Sequence, residues 1–344
     1  MVLAVILNVQ GAEILLLKEK AILLIFVLLT AAHAPNAAIN KISFSEDQMA
    51  EIIDGKVFSK EVRDGLKLKL ESLYKKTAKR PVLAVILIGE NPASQVYVKN
   101  KIKACAEIGV VSREYIKESS ITENELLSII NDLNNDADVN GILVQLPLPK
   151  GINEKKIINA ISPEKDVDGF HPVNIGKVVI GDDTAFMPCT PHGCHELIKK
   201  YVPNTDGLHV VVVGRSNIVG KPMANIMVQK NKGANCIVTV CHSASKDISK
   251  YTLQADILIA AVGVPEMIKA DMVKEGAVVI DVGVNRIPSD EAGKTKLVGD
   301  VDFENVSKKV KAISPVPGGV GPVTIAMLMK NTVKAFCIQN GIEE

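Results

Sequence analysis

Ser94, Tyr97 and Lys101 fall within the stretch NPASQVYVKNKIKA, Asn91 to Ala104. At about 100° per residue in a helix they lie within about 60° of one another, so a hydroxyl, a ring and an amine share one face. Lys99 and Lys103 are expected to point to the far side. A lysine-rich stretch is ordinarily a solvated face. One lysine aligned with an aromatic ring admits a sharper chemistry, in which a flat substrate stacks on the ring and meets a reactive amine.

Other residues could serve the same chemistry. In KDVDGFHP, Asp166 and Asp168 stand two apart. Paired carboxylates can hold a metal, but a calcium loop needs more ligands and a terminal Glu. Asp168, followed by Gly169, can instead accept hydrogen bonds from a flat heterocycle, or simply make an Asx-type turn. VQLPLP puts the amide of Gln145 at the end of a strand, where parallel sheets bind ligands. In PVPGGVGPVT, Gly318, Gly319 and Gly321 lie between Pro317 and Pro322. That loop reads either as flexible filler or as backbone lying close to a ligand. PCTPHGCHEL gathers Cys189, His192, Cys194 and His195, which are zinc donors by type. Their spacing is not that of a finger or ribbon and no second half-site follows, so no metal is expected.

The elements that must position these residues alternate. An amphipathic helix over 59–76 leads to the strand PVLAVILIG, the 94–108 helix and the strand VVSREYI. Thr122 with Glu125 three residues on makes a capping-box start for the next helix. The strand NGILVQLPLP, 140–149, and a loop-rich stretch over 150–190 follow. A second unit opens with a helix over 190–201, the strand GLHVVVVG and a helix over 223–230, with further strands at 236–240, 257–261 and 277–282. This βαβ rhythm predicts parallel sheets with right-handed crossovers. The expected fold is two α/β domains with a cleft between them, the second Rossmann-like. An apolar last helix is expected to return to the first domain. The expected boundaries are 49–189 plus 322–344 for the first domain and 190–321 for the second.

The turn VVVGRSNIVGKPMA follows a strong strand and opens a helix, the arrangement that presents backbone N–H groups and a helix dipole to a phosphate. It is not GxGxxG, since Ser216 stands where the second glycine would be. Arg215 can pair with an added phosphate. The next strand ends in Cys241, His242 and Ser243, without the carboxylate that an NAD site uses to hold ribose hydroxyls. NADP is therefore the expected cofactor.

Bulk properties agree. The 344 residues carry 40 basic and 39 acidic side chains, a net charge of +1, which gives no reason to expect nucleic acid. Aromatics are 3% and tryptophan is absent, a composition suited to buried parallel strands under helices. The six cysteines form no CxxC pair or disulfide framework, which fits a reducing, cytoplasmic setting. Residues 1–48 are far more apolar than the rest. Lys18 and Lys20, an apolar run and the AHA at 32–34 resemble a signal peptide, but the charges lie behind seventeen largely apolar residues. Three readings stay open: a start at Met49, a targeting segment, and a membrane anchor or association through residues 1–48.

Taken together, NPASQVYVKNK, GILVQLPLP, KDVDGFHPVNIG, PCTPHG, GRSNIVGKP, DVGVN and PVPGGVGPVT resemble, in order, the bifunctional methylenetetrahydrofolate dehydrogenase/cyclohydrolase family, from about Met49 to Gly341. The resemblance implies that Tyr97 stacks on the folate's aminobenzoyl ring, with Ser94 at the same wall. It implies that Lys101 serves the chemistry, Gln145 hydrogen-bonds that lysine and Asp168 holds the pterin. Gly214, Arg215, Ser216, Ser243 and Val284 would contact the cofactor. Pro317, Gly318, Gly319 and Thr324 would line the substrate cleft. The implied reaction is NADP-dependent oxidation of 5,10-methylenetetrahydrofolate to the methenyl cation and its hydrolysis to 10-formyltetrahydrofolate, a one-carbon donor for purine synthesis. An amine acting as base must be neutral part of the time, which a cationic substrate and desolvation both favour. Members of the family are commonly homodimers paired through the cofactor domain. Two rival readings are another NADP oxidoreductase of the same architecture and a nucleotide-binding protein without turnover. The first would keep the Gly214 turn and would not require Ser94, Tyr97, Lys101, Gln145 and Asp168 together.

Overall fold

The computed structural model describes residues 49–289 and 294–343. The apolar segment 1–48, with its targeting and anchor readings, lies outside the described residues. Among the described residues no helix is long and apolar enough to cross a membrane.

The chain enters on a short strand, β1 (Glu51–Ile52), and a 23-residue helix, α1 (Gly55–Thr77), whose N-cap Asp54 accepts from Val57 N at 3.0 Å. Next come β2 (Val82–Ile88), α2 (Pro92–Ile108), β3 (Val111–Lys117), α3 (Glu123–Asn135) and β4 (Gly141–Val144). These strands form a parallel sheet in the order β3-β2-β4. All seven residues of β2 are buried, as a central strand covered on both faces requires. The expected capping box is present: Thr122 Oγ1 accepts from Glu125 N, and the Glu125 carboxylate accepts from Thr122 N. β4 ends at Val144, five residues short of the expected strand end. Pro147 and Pro149 lack the N–H that a continuing ladder needs.

The stretch expected to be loop-rich holds two short helices, α4 (Glu154–Ala160) and α5 (Pro172–Ile180), before α6 (Cys189–Tyr201). The second sheet then builds from β5 (His209–Val213), α7 (Gly220–Met227), β6 (Ile237–Cys241), the single turn α8 (Ser249–Thr252), β7 (Ile257–Ala260) and β8 (Val278–Asp281). An antiparallel pair, β9 (Asn285–Pro288) and β10 (Thr295–Val298), follows, then the turn α9 (Phe303–Val306), β11 (Ala312–Ile313) and α10 (Val320–Gln339). The sheet order is β1-β11-β8-β7-β5-β6, parallel throughout. β1 thus lies in the second sheet, although it precedes the first in sequence.

α10 is apolar nearly all round and mostly buried, the signature of a core helix. It packs on α1 and α6 and touches α2, β2 and β4, so it does return to the first sheet. Two hydrogen bonds fix its end there: Asn140 Nδ2 donates to Gln339 Oε1 at 2.8 Å, and Gln339 Nε2 donates to Asn140 O at 3.0 Å.

Candidate active site

α2 starts cleanly because Pro92 occupies its first turn and Asn91 Oδ1 accepts from Ser94 N at 3.1 Å. That start sets the phase of the helix. Ser94 and Lys101 are buried and Tyr97 is half exposed. Lys101 Nζ donates to Gln145 Oε1 at 3.1 Å. Gln145 sits just beyond β4, its backbone N–H bonded to Ile86 O and its side-chain Nε2 donating to Leu146 O at 2.7 Å. The amide oxygen is thereby left to face the lysine.

Asp168 completes the group. Asn331 of α10 donates to Val167 O at 2.8 Å and to Met187 O at 3.0 Å, and Cys189 N donates to Asp168 O at 3.3 Å. Behind it, buried Asp166 accepts from Phe170 N, His171 N and Asn174 Nδ2 at 3.2, 2.8 and 2.9 Å. Burial raises the Asp168 carboxyl above its ordinary value, and the charge of Lys101 opposes that rise. Asp166 is pushed up to about 7, chiefly by burial. The structure therefore brings Lys101, Gln145 and Asp168 together, with Ser94 on the same face of α2.

Around the helix from this group, with Tyr97 at the boundary, lies a cleft of about 490 Å³. Ala93, Val96, Tyr97 and Asn100 form one wall and Val282, Gly283 and Val284 the other, closed by Pro315, Val316, Pro317 and Gly318. Lys103, expected to point away, lines this cleft, which spans a wider arc of α2 than the three-residue face. Burial lifts the Tyr97 phenol above its ordinary value, and the Arg286 guanidinium opposes the lift. Arg286 and Leu297 of the β9–β10 pair, and Lys56 and Arg63 of α1, also line the cleft. Sequence reasoning missed all four. Arg286 directly follows DVGVN, which was the available signal; the α1 residues arrive only through tertiary packing. Thr324 is not on the cleft: its hydroxyl pairs with Thr190 Oγ1 at 3.1 Å and donates to Val320 O at 3.3 Å. Gly319 lies behind the lining, with Gly55 packed on its carbonyl.

The residues expected at the cofactor stand at the carboxyl ends of β5, β6 and β8, the edge where such sheets bind dinucleotides. Gly214 follows β5 with φ +129°, and a Cβ there would meet Ala261 O at 2.1 Å, so only glycine fits. Ser216 Oγ accepts from Val219 N at 3.2 Å and Gly220 N at 3.4 Å, which starts α7 three residues earlier than expected. Arg215 and Ser243 are exposed beside that turn and Val284 is exposed on the cleft. A strand, a glycine-only turn and a helix start with an exposed guanidinium fit a phosphate-bearing dinucleotide. Cys189, His192, Cys194 and His195 are buried in and around α6, and among the described residues no three His, Cys, Asp or Glu side chains converge as a metal would require.

A parallel sheet with this turn, set across a cleft from the helix that carries Lys101 of a lysine–amide–carboxylate group, defines a two-domain, nicotinamide-dependent α/β oxidoreductase. Two family profiles narrow the class: "Tetrahydrofolate dehydrogenase/cyclohydrolase, catalytic domain" matches residues 53–168, and the "NAD(P)-binding domain" of the same family matches residues 188–340. The chain belongs to the tetrahydrofolate dehydrogenase/cyclohydrolase family. It is 57% identical over 294 residues to the bifunctional protein FolD of Chlorobium luteolum, covering 85% of this chain and 99% of that one. Among solved structures, the FolD dehydrogenase/cyclohydrolase of Campylobacter jejuni is 51% identical with a TM-score of 0.78, covering 83% of this chain and 98% of that one. The Trypanosoma brucei enzyme, solved with NADP cofactor and inhibitor, is 35% identical with a TM-score of 0.79, covering 84% and 98%.

Proposed function

We propose that this chain oxidises 5,10-methylenetetrahydrofolate with NADP and then hydrolyses the methenyl product to 10-formyltetrahydrofolate. One observation carries the reading: Lys101 Nζ lies 3.1 Å from Gln145 Oε1, beside Asp168 and one helical turn from the Tyr97 ring. NADP, when bound at the Gly214 turn, supplies the hydride acceptor. Tyr97 orients the aminobenzoyl ring and Asp168 anchors the pterin, so that the one-carbon bridge lies near Lys101. Lys101 takes a proton from the water that adds to the bridge and returns one as the ring opens, help worth about 10²–10⁴-fold. Gln145 holds the amine at the bridge. Ser94 shapes that wall, while Pro317 and Gly318 form the opposite lip and Gly319 and Thr324 support it from behind. Arg215, Ser216 and Ser243 hold the phosphate-bearing end of NADP, and Val284 packs on its ring.

In domain terms, residues 49–189 with 322–344 carry the folate side and 190–321 the NADP side, with β1 lent to the second sheet. A homodimer paired through the second sheet is supported by its edge strand β6, where Ile237 and Val240 are 63% and 39% exposed. A cytoplasmic setting is supported by six cysteines, all buried, whose spacing makes no CxxC pair or disulfide framework.

The test is to mix the purified chain with 5,10-methylenetetrahydrofolate, follow reduced-cofactor absorbance with NADP and with NAD, and quantify methenyl and formyl products after acid quench. Turnover that prefers NADP and accumulates formyl product is expected. Absence of turnover from folded, NADP-binding protein would return the chain to the rival readings.

A further inference from the structure

Two carboxylates stand at the cofactor-side wall of the cleft, Asp281 in its lining and Asp300 behind it, without a role in the reaction above. Asp281 ends β8 and Asp300 follows β10; they are 2% and 0% exposed. Asp281 Oδ1 accepts from Gly283 N and Asp300 N, both at 2.9 Å, and Oδ2 accepts from Val301 N at 3.0 Å. Asp300 Oδ2 accepts from Val262 N at 2.6 Å and Gly263 N at 2.9 Å, and Oδ1 accepts from Asn285 Nδ2 at 2.8 Å. The backbone N–H of Asp281 in turn donates to Ser314 Oγ at 2.8 Å. The two side chains therefore tie together the turn after β7, the 282–284 wall and the segment after β10, and the Asp281 backbone adds the residue just before the Pro315–Gly318 lip.

The fit is tight on both sides. A Cβ on Gly299 would stand 1.8 Å from Asp281 Oδ2, and one on Gly283 would stand 2.2 Å from Asp300 Oδ1. Burial and the neighbouring Asp300 push the Asp281 carboxyl up to about 7, against the pull of its three backbone donors. Two adjacent buried carboxylates are a costly way to pack a core, and an apolar pair of similar volume is often at least as stable. What they supply is direction. Asp300 Oδ2 fixes the N–H groups of Val262 and Gly263 after β7, and Asp281 Oδ1 fixes that of Gly283 after β8, the edge where the dinucleotide of such a sheet lies.

We infer that Asp281 and Asp300 are positioning residues for hydride transfer, which hold the 262–263 and 282–284 backbone at the distance the cofactor ring requires. The inference rests on the dehydrogenase/cyclohydrolase reading. It separates the two activities, because hydride transfer needs both walls of the cleft in register. Water addition is served by Lys101 on α2, Gln145 just beyond β4 and Asp168 between α4 and α5.

The experiment uses the full chain with Asp281→Asn and Asp300→Asn in separate variants. In Asp281→Asn the new N–H₂ confronts a backbone donor on either side, and in Asp300→Asn it confronts either the Val262 and Gly263 N–H groups or the Asn285 amide. Dehydrogenase kcat and KM for NADP are measured alongside hydrolysis of preformed 5,10-methenyltetrahydrofolate, below the thermal midpoint of each variant. Because misplacement of reacting groups by about 1 Å can cost about 100-fold, dehydrogenase kcat is expected to fall at least about tenfold. Hydrolysis is expected to stay within about twofold, since a group acting only on one step moves only that step. Equal loss of both activities in a folded variant would reduce the pair to a structural support, and an unchanged dehydrogenase would remove it from positioning altogether. Should the Asn variants fail to fold, Asn285→Ala decides. It keeps both carboxylates and removes one donor to Asp300, so a smaller loss confined to the dehydrogenase supports the inference and no selective loss overturns it. Wild-type protein lacking both activities would defeat the functional reading itself, a result distinct from either outcome in the variants.

Discussion

Lys101 is a buried amine that meets the Gln145 amide, with the Asp168 carboxyl near it. Replacing it by methionine keeps the length and apolar stem and removes the proton carrier. Lys101→Met is expected to lower hydrolysis of methenyltetrahydrofolate by about 10²–10⁴-fold and to weaken the dehydrogenase less, measured on the two substrates separately. Intact hydrolysis in the variant would end the assignment of Lys101. Arg215 tests the cofactor end. Hydrogen bonds to charged groups are worth about 1.5–3 kcal/mol, so Arg215→Ala should raise KM for NADP about tenfold to a hundredfold and leave KM for NAD nearly unchanged. Equal effects on both would take Arg215 away from the extra phosphate. At this scale the helix period alone placed Ser94, Tyr97 and Lys101 on one face. Gln145 and Asp168 were readable only as residues at suitable sites, because spacing within one segment cannot show what a second segment brings beside it. The pairing of Asp281 with Asp300 was hidden for the same reason, whereas Arg286 stands directly after DVGVN.

Among the elements, α6 carries an acid-sensitive feature. His192 and His195 are buried, and neither ring has a hydrogen-bond partner of good geometry among the described residues. His192 Nε2 stands 3.5 Å from Glu196 Oε1, an ion-pair distance, while Lys199 and Lys330 also lie against that carboxylate. Burial pushes His195 down to about 4 and also lowers His192. A histidine depressed in the folded state stabilises the protein above its unfolded value near 6.5, and that contribution disappears as pH falls from there through about 4. The contribution of His195 is roughly 3 kcal/mol at full effect. The urea midpoint of the wild type should therefore drop between about pH 7 and about pH 5, and His195→Gln should flatten the drop. Glu196 is held well below the usual carboxylate range, so its own contribution is lost only in stronger acid. An identical pH dependence in the variant would clear His195 of the effect. Elements with local signals were legible: the Thr122–Glu125 box and the apolar run of β2 are written in consecutive residues. α5 was missed although Pro172 stands at its first turn and His171 Nδ1 accepts from Val173 N at 3.1 Å. A histidine cap is a weak signal beside Asp, Asn, Ser or Thr.

At the scale of the whole molecule, two parallel sheets of different size are joined by α10, which returns to the first sheet, and by β1, which lies in the second. The alternation of elements made the two sheets legible. The apolar run of α10 made its return to the first sheet legible too, whereas the placement of β1 was not, since a two-residue strand carries no pattern of its own. The larger sheet ends at β6, whose unpaired edge carries exposed Ile237 and Val240, with Val228 exposed just after α7. An apolar open edge is a template for another strand, and proteins normally cover or charge it. A second copy of this chain offers the same edge, and two such edges related by a two-fold axis pair with themselves. Sedimentation of the wild type at micromolar concentration is therefore expected to give twice the mass of the chain. Ile237→Lys places a charge on each side of the two-fold and should shift the protein toward monomer. The cleft between α2 and the 282–284 wall lies within one chain, so the monomeric variant should keep both activities to the extent that it remains folded. A monomeric wild type, or a dimer that Ile237→Lys does not weaken, would move the contact off this edge.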